Sequence, residues 1–210
     1  MQLVLASSSP RRKELLELLG LSFEVYPSEF DELPTNGLSP LEQVKHFALE
    51  KARCVAQARP HDIILGSDTV IELDGRLLGK PLDLSDARIM LTRLAGRGHR
   101  VHTAVALRHH ERGIDEVDVA TTLVVMRADV EGAYDRYLAS KESLGKAGAY
   151  AIQGRGGDLV ERIEGDYTTV VGLPLKLVAH LLQSVGYPIP FDVDDLYKRK
   201  PYANWSRFVP

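Results

Sequence analysis

The sequence predicts an α/β fold in which a mixed, twisted sheet is flanked by helices, in two lobes around a cleft. Three observations predict it. Apolar runs of strand length alternate with stretches of helical period from one end to the other. A long alternating pair at Val101–Leu107 and Val117–Met126 reads as antiparallel strands within that α/β pattern. No repeat or low-complexity linker divides the 210 residues, a length that one core can fill.

Taken in order, Leu3–Ala6 is a first strand that stops at Ser7-Ser8-Ser9-Pro10. Ser9 is placed to cap a helix beginning at Pro10, where the missing N–H is not needed. Leu15, Leu16, Leu18 and Leu19 give that helix its buried face, and Gly20 its stop. A strand at Phe23–Tyr26 leads into a polar loop through Glu29-Phe30-Asp31-Glu32. Ser39-Pro40-Leu41-Glu42 is a capping box opening a long helix whose apolar stripe is Leu41, Val44, Phe47, Ala48 and Val55. Ile63-Ile64-Leu65 is a buried strand that resumes past Asp68 at Thr69-Val70-Ile71, and Asp74-Gly75 turns the chain back toward Leu77-Leu78. A helix at Ser85–Leu94 closes at Gly96. The long strand pair follows, joined by a charged loop at His109–Glu116. Asp129 is placed to cap a helix to Leu138, and a glycine-rich stretch from Gly145 to Gly157 leads to a strand at Leu159–Ile163. Pro174 starts the last long helix, Leu175–Val185. Residues 1–187 read as one domain and 188–210 as a tail with no evident place or role.

Composition narrows the function. Hydrophobic residues at 44% and charged residues at 26% are ordinary for a soluble globular protein. A formal charge of -3 leaves no general basic surface, so no nucleic-acid partner is expected. The lone Cys54 allows no internal disulfide and reads as a small core residue in a reducing compartment. No apolar run approaches the ~20 residues needed to span a bilayer, and Met1–Ala6 lacks the features of a signal peptide. A cytoplasmic protein with no membrane partner is expected.

Some residues sit against local preference. Arg11 and Arg12 occupy the first turn of a helix, where a cation is disfavoured by roughly 0.3–1 kcal/mol. They are either solvated or part of an anion site built from free N–H groups, the helix dipole and two guanidinium groups, with three serines just upstream. Lys51 lies in phase with the apolar stripe of its helix, so it either snorkels to the rim or points into a cleft toward an anion. Asp68 interrupts an apolar segment and is either satisfied by turn amides or a cleft carboxylate able to hold Mg²⁺ or activate water. Lys80, on the return of the hairpin, can lie near Asp68.

Other chemistries fit less well. Neither Gly79-Lys80 nor Gly145-Lys146 is followed by Ser or Thr, so there is no Walker P-loop. Gly96-Arg97-Gly98 lacks the third glycine of a dinucleotide fingerprint. His109-His110-Glu111 reads as a solvated loop without metal-ligand spacing.

Together the segments resemble the Maf family of nucleotide pyrophosphatases. The pieces run in order: Leu5–Arg12, Phe30-Asp31-Glu32, Glu50-Lys51-Ala52, Gly66–Val70, Gly79-Lys80-Pro81, Leu94-Ala95-Gly96 with His99–Thr103, Lys146–Gly154 and Val171–Leu175. Any one is weak; the ordered series is specific. The resemblance implies a fold related to the inosine-triphosphate pyrophosphatases, a homodimer, and hydrolysis of a nucleoside triphosphate to monophosphate and pyrophosphate. It implies that Ser8, Arg11 and Arg12 bind the triphosphate, that Lys51 and Lys80 neutralise its charge, and that Asp68 is the catalytic carboxylate. Asp68 and Glu32 would hold a divalent cation, Mg²⁺ or Mn²⁺. The segment Ala149–Gly154 is similar to that of the branch acting on dTTP and UTP, and the Gln153 amide offers a donor and an acceptor to a pyrimidine imide edge. Ser67 departs from the family's usual Ala, and Gly145 stands where an acid often precedes Lys-Ala-Gly. The rivals are a non-catalytic nucleotide- or nucleic-acid-binding regulator of division, and a pyrophosphatase of the same fold directed at purine or 7-methyl-GTP substrates.

Overall fold

A computed structural model describes residues 1–128 and 132–208. In chain order the elements begin with β1 (Leu3–Leu5), α1 (Pro10–Glu17), β2 (Phe23–Val25), α2 (Pro40–Ala58), β3 (Ile63–Leu73), β4 (Arg76–Leu78) and α3 (Leu84–Leu94). Then come β5 (Gly98–His109), β6 (Ile114–Met126), α4 (Ala133–Ala139), β7 (Val160–Glu164), α5 (Tyr167–Val171), α6 (Leu175–Ser184), α7 (Val193–Arg199) and α8 (Trp205–Phe208). The strands form one mixed sheet in the order β2-β1-β3-β5-β6-β7, with β4 paired to β3. β1 is parallel to both neighbours, Val4 lying opposite Glu24 on one side and Ile64 on the other. From β3 outward the pairing is antiparallel, and Asp68 lies opposite Ala104.

Alternation along β1 and β3 sends side chains to two separate cores, which is why these strands read as unbroken apolar runs. Leu3, Leu5, Ile63 and Leu65 pack with Leu15 and Leu16 of α1 and with Leu19 in the turn just after it. Val4, Ala6, Ile64 and Val70 pack with Val44, Phe47, Ala48, Ala52 and Val55 of α2. Gly66 lets α2 lie close to the sheet, since a Cβ there would meet the Ala48 carbonyl oxygen at 2.3 Å and the Ala52 Cβ at 2.9 Å. The connection after β1 runs to β2 over one face and that after β2 returns to β3 over the other. The carboxyl end of β1 is therefore a topological switch point, where a crevice opens.

Several expectations change in detail. The Ser39 capping box forms with both bonds, and the Asp74-Gly75 hairpin turns with φ of 54° and 75°. Leu41 stays partly exposed because it sits in the first turn, ahead of the sheet. β3 runs unbroken, so Asp68 lies in mid-strand. β5 and β6 extend until only residues 110–113 join them, and His109 is buried at the end of β5. Cys54 is exposed on α2, off the apolar stripe. Asp129 lies outside the described residues. The chain after Pro188, left unplaced by the sequence, returns to the main core: Leu196, Trp205 and Phe208 are buried there, and Trp205 stacks on Tyr167 with ring centroids 5.4 Å apart. Among the described residues no helix is long and apolar enough to cross a membrane.

Candidate active site

A cleft of about 400 Å³ opens at the carboxyl end of β1. It takes in Ser8 just before α1, Arg11 and Arg12 from its first turn, Glu32 from the loop after β2, Lys51 from α2, Asp68 from β3, Lys80 after β4, and Gln153. All the residues singled out in the sequence thus face one space.

On one side lies a chain of alternating charge. Asp68 points to the α2 face of β3, where the Lys51 ammonium meets its Oδ1 at 2.5 Å and Glu32 Oε1 at 2.5 Å. Glu32 Oε2 accepts from Lys80 at 3.1 Å. Among the described residues Lys80 is therefore linked to Asp68 through Glu32 and Lys51. The side chains of Asp68 and Lys51 are 6% and 8% exposed, whereas Glu32 is 35% and Lys80 59% exposed, so the chain climbs from the interior to solvent. Burial raises the Asp68 carboxyl above the usual range, with Glu32 adding to the rise and Lys51 and Arg12 opposing it. Burial also pushes Glu32 upward, but the hydrogen bonds and charges of Lys51 and Lys80 outweigh it and bring Glu32 down to about 2. Two neighbouring carboxylates thus differ in character: Glu32 is a fixed anion, and Asp68 holds a proton more readily.

Facing this chain is the N-terminus of α1. Ser9 occupies the cap position without a side-chain cap bond, and no acidic residue enters the first turn. The first N–H groups of the helix are left for an anion. Arg12 donates through Nε to the Gly172 carbonyl at 2.9 Å, through Nη1 to Ser7 Oγ at 3.2 Å and through Nη2 to Thr69 Oγ1 at 3.3 Å. Thr69 is held in turn by Thr103 at 3.0 Å, and Thr103 donates to the Thr169 carbonyl. These bonds fix the guanidinium plane, and each terminal nitrogen keeps a second N–H beyond the one used. Arg11, half-buried, has no hydrogen bond or ion pair among the described residues. Burial lowers the pKa of both arginines; Asp68 and Glu32 offset part of it at Arg12.

The far wall is the glycine-rich segment before β7. Gln153 is half-buried, and its amide makes no bond to the described protein. Beside it Tyr150 is buried, its hydroxyl 2.7 Å from Nε2 of His99. Lys146 also lines the cleft, its ammonium donating to the Glu142 carbonyl. Residue-by-residue reading counted Ser7 only as one of three serines beside the arginines, and it missed Thr69, Lys146, Tyr150 and the Gly172 carbonyl. Thr69 carried a signal in its place beside Asp68, and Lys146 in its place in the glycine-rich segment; the carbonyl carried none.

Among the described residues no group of three or more His, Cys, Asp or Glu side chains is placed to hold a metal. The donor set still suits a hard cation of the Mg²⁺ type. Such an ion is commonly held by one or two carboxylates, with substrate phosphates and water completing its shell, and Asp68 and Glu32 meet on one nitrogen at the cleft wall.

A family model for Maf-like proteins matches residues 2–185. The dTTP/UTP pyrophosphatase of Moorella thermoacetica is 47% identical over 90% of this chain and 97% of its own. That of Myxococcus xanthus is 47% identical over 90% of this chain and 95% of its own. That of Syntrophus aciditrophicus is 43% identical over 88% of this chain and 90% of its own. A solved nucleoside-triphosphatase / dITP/XTP pyrophosphatase from Mycobacterium abscessus is 19% identical, with 91% of this chain and 100% of that one covered at a TM-score of 0.43. That likeness is too loose to add to what the sheet order shows.

Proposed function

The chain belongs to the Maf-like proteins, and on that premise we propose that it hydrolyses nucleoside triphosphates, dTTP and UTP above others, to the monophosphate and pyrophosphate. The observation that carries the reading is the Lys51-bridged pair Asp68 and Glu32 facing the arginine-bearing N-terminus of α1 across one cleft.

In the proposed reaction the triphosphate lies between α1 and Lys80. Arg11, Arg12 and the free N–H groups of α1 take phosphate oxygens, and Ser8 adds a hydroxyl donor from the rim. Asp68 orients a water at the α phosphorus and accepts its proton, which suits a carboxyl raised by burial. The water oxygen bonds to the α phosphorus as the bridge to the β phosphate breaks, and the charge passes to the departing pyrophosphate. Lys51, Lys80 and Arg12 stabilise that charge in this reading. A divalent cation, Mg²⁺ or Mn²⁺, held by Asp68 and Glu32 together with phosphate oxygens, would lower the pKa of a bound water and screen the phosphates. Gln153 takes the base: its unpaired amide offers a donor and an acceptor to the imide edge of uracil or thymine.

The test is pyrophosphate release across a nucleotide panel, measured as phosphate with and without added inorganic pyrophosphatase. UTP and dTTP should be cleaved well ahead of ATP, GTP and 7-methyl-GTP, with signal only when the coupling enzyme is present. Phosphate released without it would mean cleavage at the γ position. Preference for purines would remove Gln153 as a pyrimidine reader, and no turnover of any nucleotide would leave a binding protein.

A further inference from the structure

The family model ends at residue 185, yet the chain beyond it comes back to the segment that carries Gln153. Asn204, in the turn before α8, donates from its amide to the Ile152 carbonyl at 2.9 Å and the Gly154 carbonyl at 3.2 Å. These two carbonyls flank Gln153. Gly157 makes the room: a Cβ at that position would lie 2.5 Å from the Asn204 amide nitrogen. The next residue anchors the clamp. Trp205 is fully buried, stacked on Tyr167 and met edge-on by Tyr197 at 5.0 Å.

The wall that carries Gln153 needs such a hold. It contains Gly145, Gly148 and Gly154 at positive φ, and Ala149 at 62°, a conformation that side chains other than glycine rarely adopt. Such a segment keeps one shape only when its surroundings fix it. A reading amide on a loose loop would lose affinity to ordering, and an external clamp removes that cost in advance.

We propose that Asn204 is a positioning residue for base recognition: by bridging the carbonyls on either side of Gln153, the segment beyond the family core fixes the reading amide and sets selectivity among nucleobases. This rests on Gln153 reading the base.

The test uses the full chain with Asn204→Ala, and with Asn204→Asp, which keeps the shape but has no N–H to donate. Trp205 is the chain's only tryptophan, so its emission reports whether the tail is seated. In both variants the emission should stay as in the wild type while KM for UTP rises about three- to tenfold. The ratio of kcat/KM for UTP over GTP should shrink, and kcat for UTP should change by less than about twofold. Inhibition by inorganic tripolyphosphate, which has no base, should be unaltered. Unchanged KM and ratio with the tail seated would overturn the inference. So would an equal loss for UTP, GTP and tripolyphosphate, which marks a general brace, or a red-shifted emission in both variants, which makes Asn204 an anchor of the tail itself. Wild-type enzyme that turns over no triphosphate, or that does not favour pyrimidines, defeats the underlying reading before any variant is made, and the inference falls with it.

Discussion

Asp68 sits where two demands conflict: the α2 face of β3 is an apolar interior, and the proposed reaction needs a carboxylate there. The Lys51 ammonium, held also by Glu32, resolves the conflict without removing it, so the Asp68 carboxyl stays raised. Asp68→Asn keeps the shape and leaves Lys51 paired with Glu32, so the variant should fold and bind a non-hydrolysable triphosphate. It should lose about 10²–10⁴-fold in kcat, the usual share of a general base. Calorimetric titration and steady-state kinetics on the purified variant check both halves, and turnover near wild type would remove Asp68 from the chemistry. Asp68 and Lys51 were legible in the sequence because each interrupts an apolar pattern, and a charge in such a place needs a partner. Arg11 and Arg12 were legible because they oppose a helix dipole. Ser8, Glu32 and Gln153 break no local rule, and only the resemblance pointed to them. Cys54 misled because its position in sequence did not settle which side of α2 it takes.

Between elements, the site depends on how closely α2 lies on β3. Gly66 sets that distance, and Gly66→Ala would drive a methyl into the Ala48 carbonyl. The variant should lose about 1–3 kcal/mol or more in denaturant unfolding, and activity should fall with it, because α2 carries Lys51. Stability within a few tenths of wild type would show that α2 can give way freely. His99 joins β5 to the glycine-rich wall through Tyr150, and burial holds it down to about 4 from an ordinary value of 6.5. In the unfolded chain it charges near 6.5 while in the fold it stays neutral, so its contribution is fully present above that pH and is lost as pH falls toward 4. The loss approaches about 3 kcal/mol at most. His99→Gln keeps a polar end for Tyr150 but cannot titrate, so its unfolding free energy should fall less between pH 7 and 5 than that of the wild type. Parallel curves would place the acid sensitivity elsewhere. The capped and periodic elements, α2 above all, were plain in the sequence. The five-residue α5 and the short α7 and α8 were not, since they are too brief to show a period and owe their form to packing around Trp205 and Tyr167.

Across the whole molecule, charge is distributed unevenly. The chain carries a formal net charge of -3, yet among the described residues the cleft is lined by Arg11, Arg12, Lys51, Lys80 and Lys146 against only Asp68 and Glu32. The sequence showed the total but not this concentration, because the cations come from segments far apart that meet only at the switch point of the sheet. A positive cleft in an acidic protein draws a polyanion in from solution, and added salt weakens that field over a Debye length of about 10 Å at 0.1 M. Raising ionic strength from about 0.02 to about 0.5 M should therefore lower kcat/KM for UTP several-fold, mainly through KM, while kcat moves little. In the proposed binding mode the triphosphate meets partly buried charges that salt screens poorly, so the step after binding is spared. Lys146→Ala, which removes one cation from the rim, should flatten the dependence without abolishing turnover. The measurement is a salt series of initial rates at fixed metal and pH, with a bulky monovalent anion to limit direct competition at the phosphate sites. Flat kcat/KM across the series would show that the cleft holds its substrate by contact alone, and a fall confined to kcat would place the salt-sensitive charges in the reaction itself.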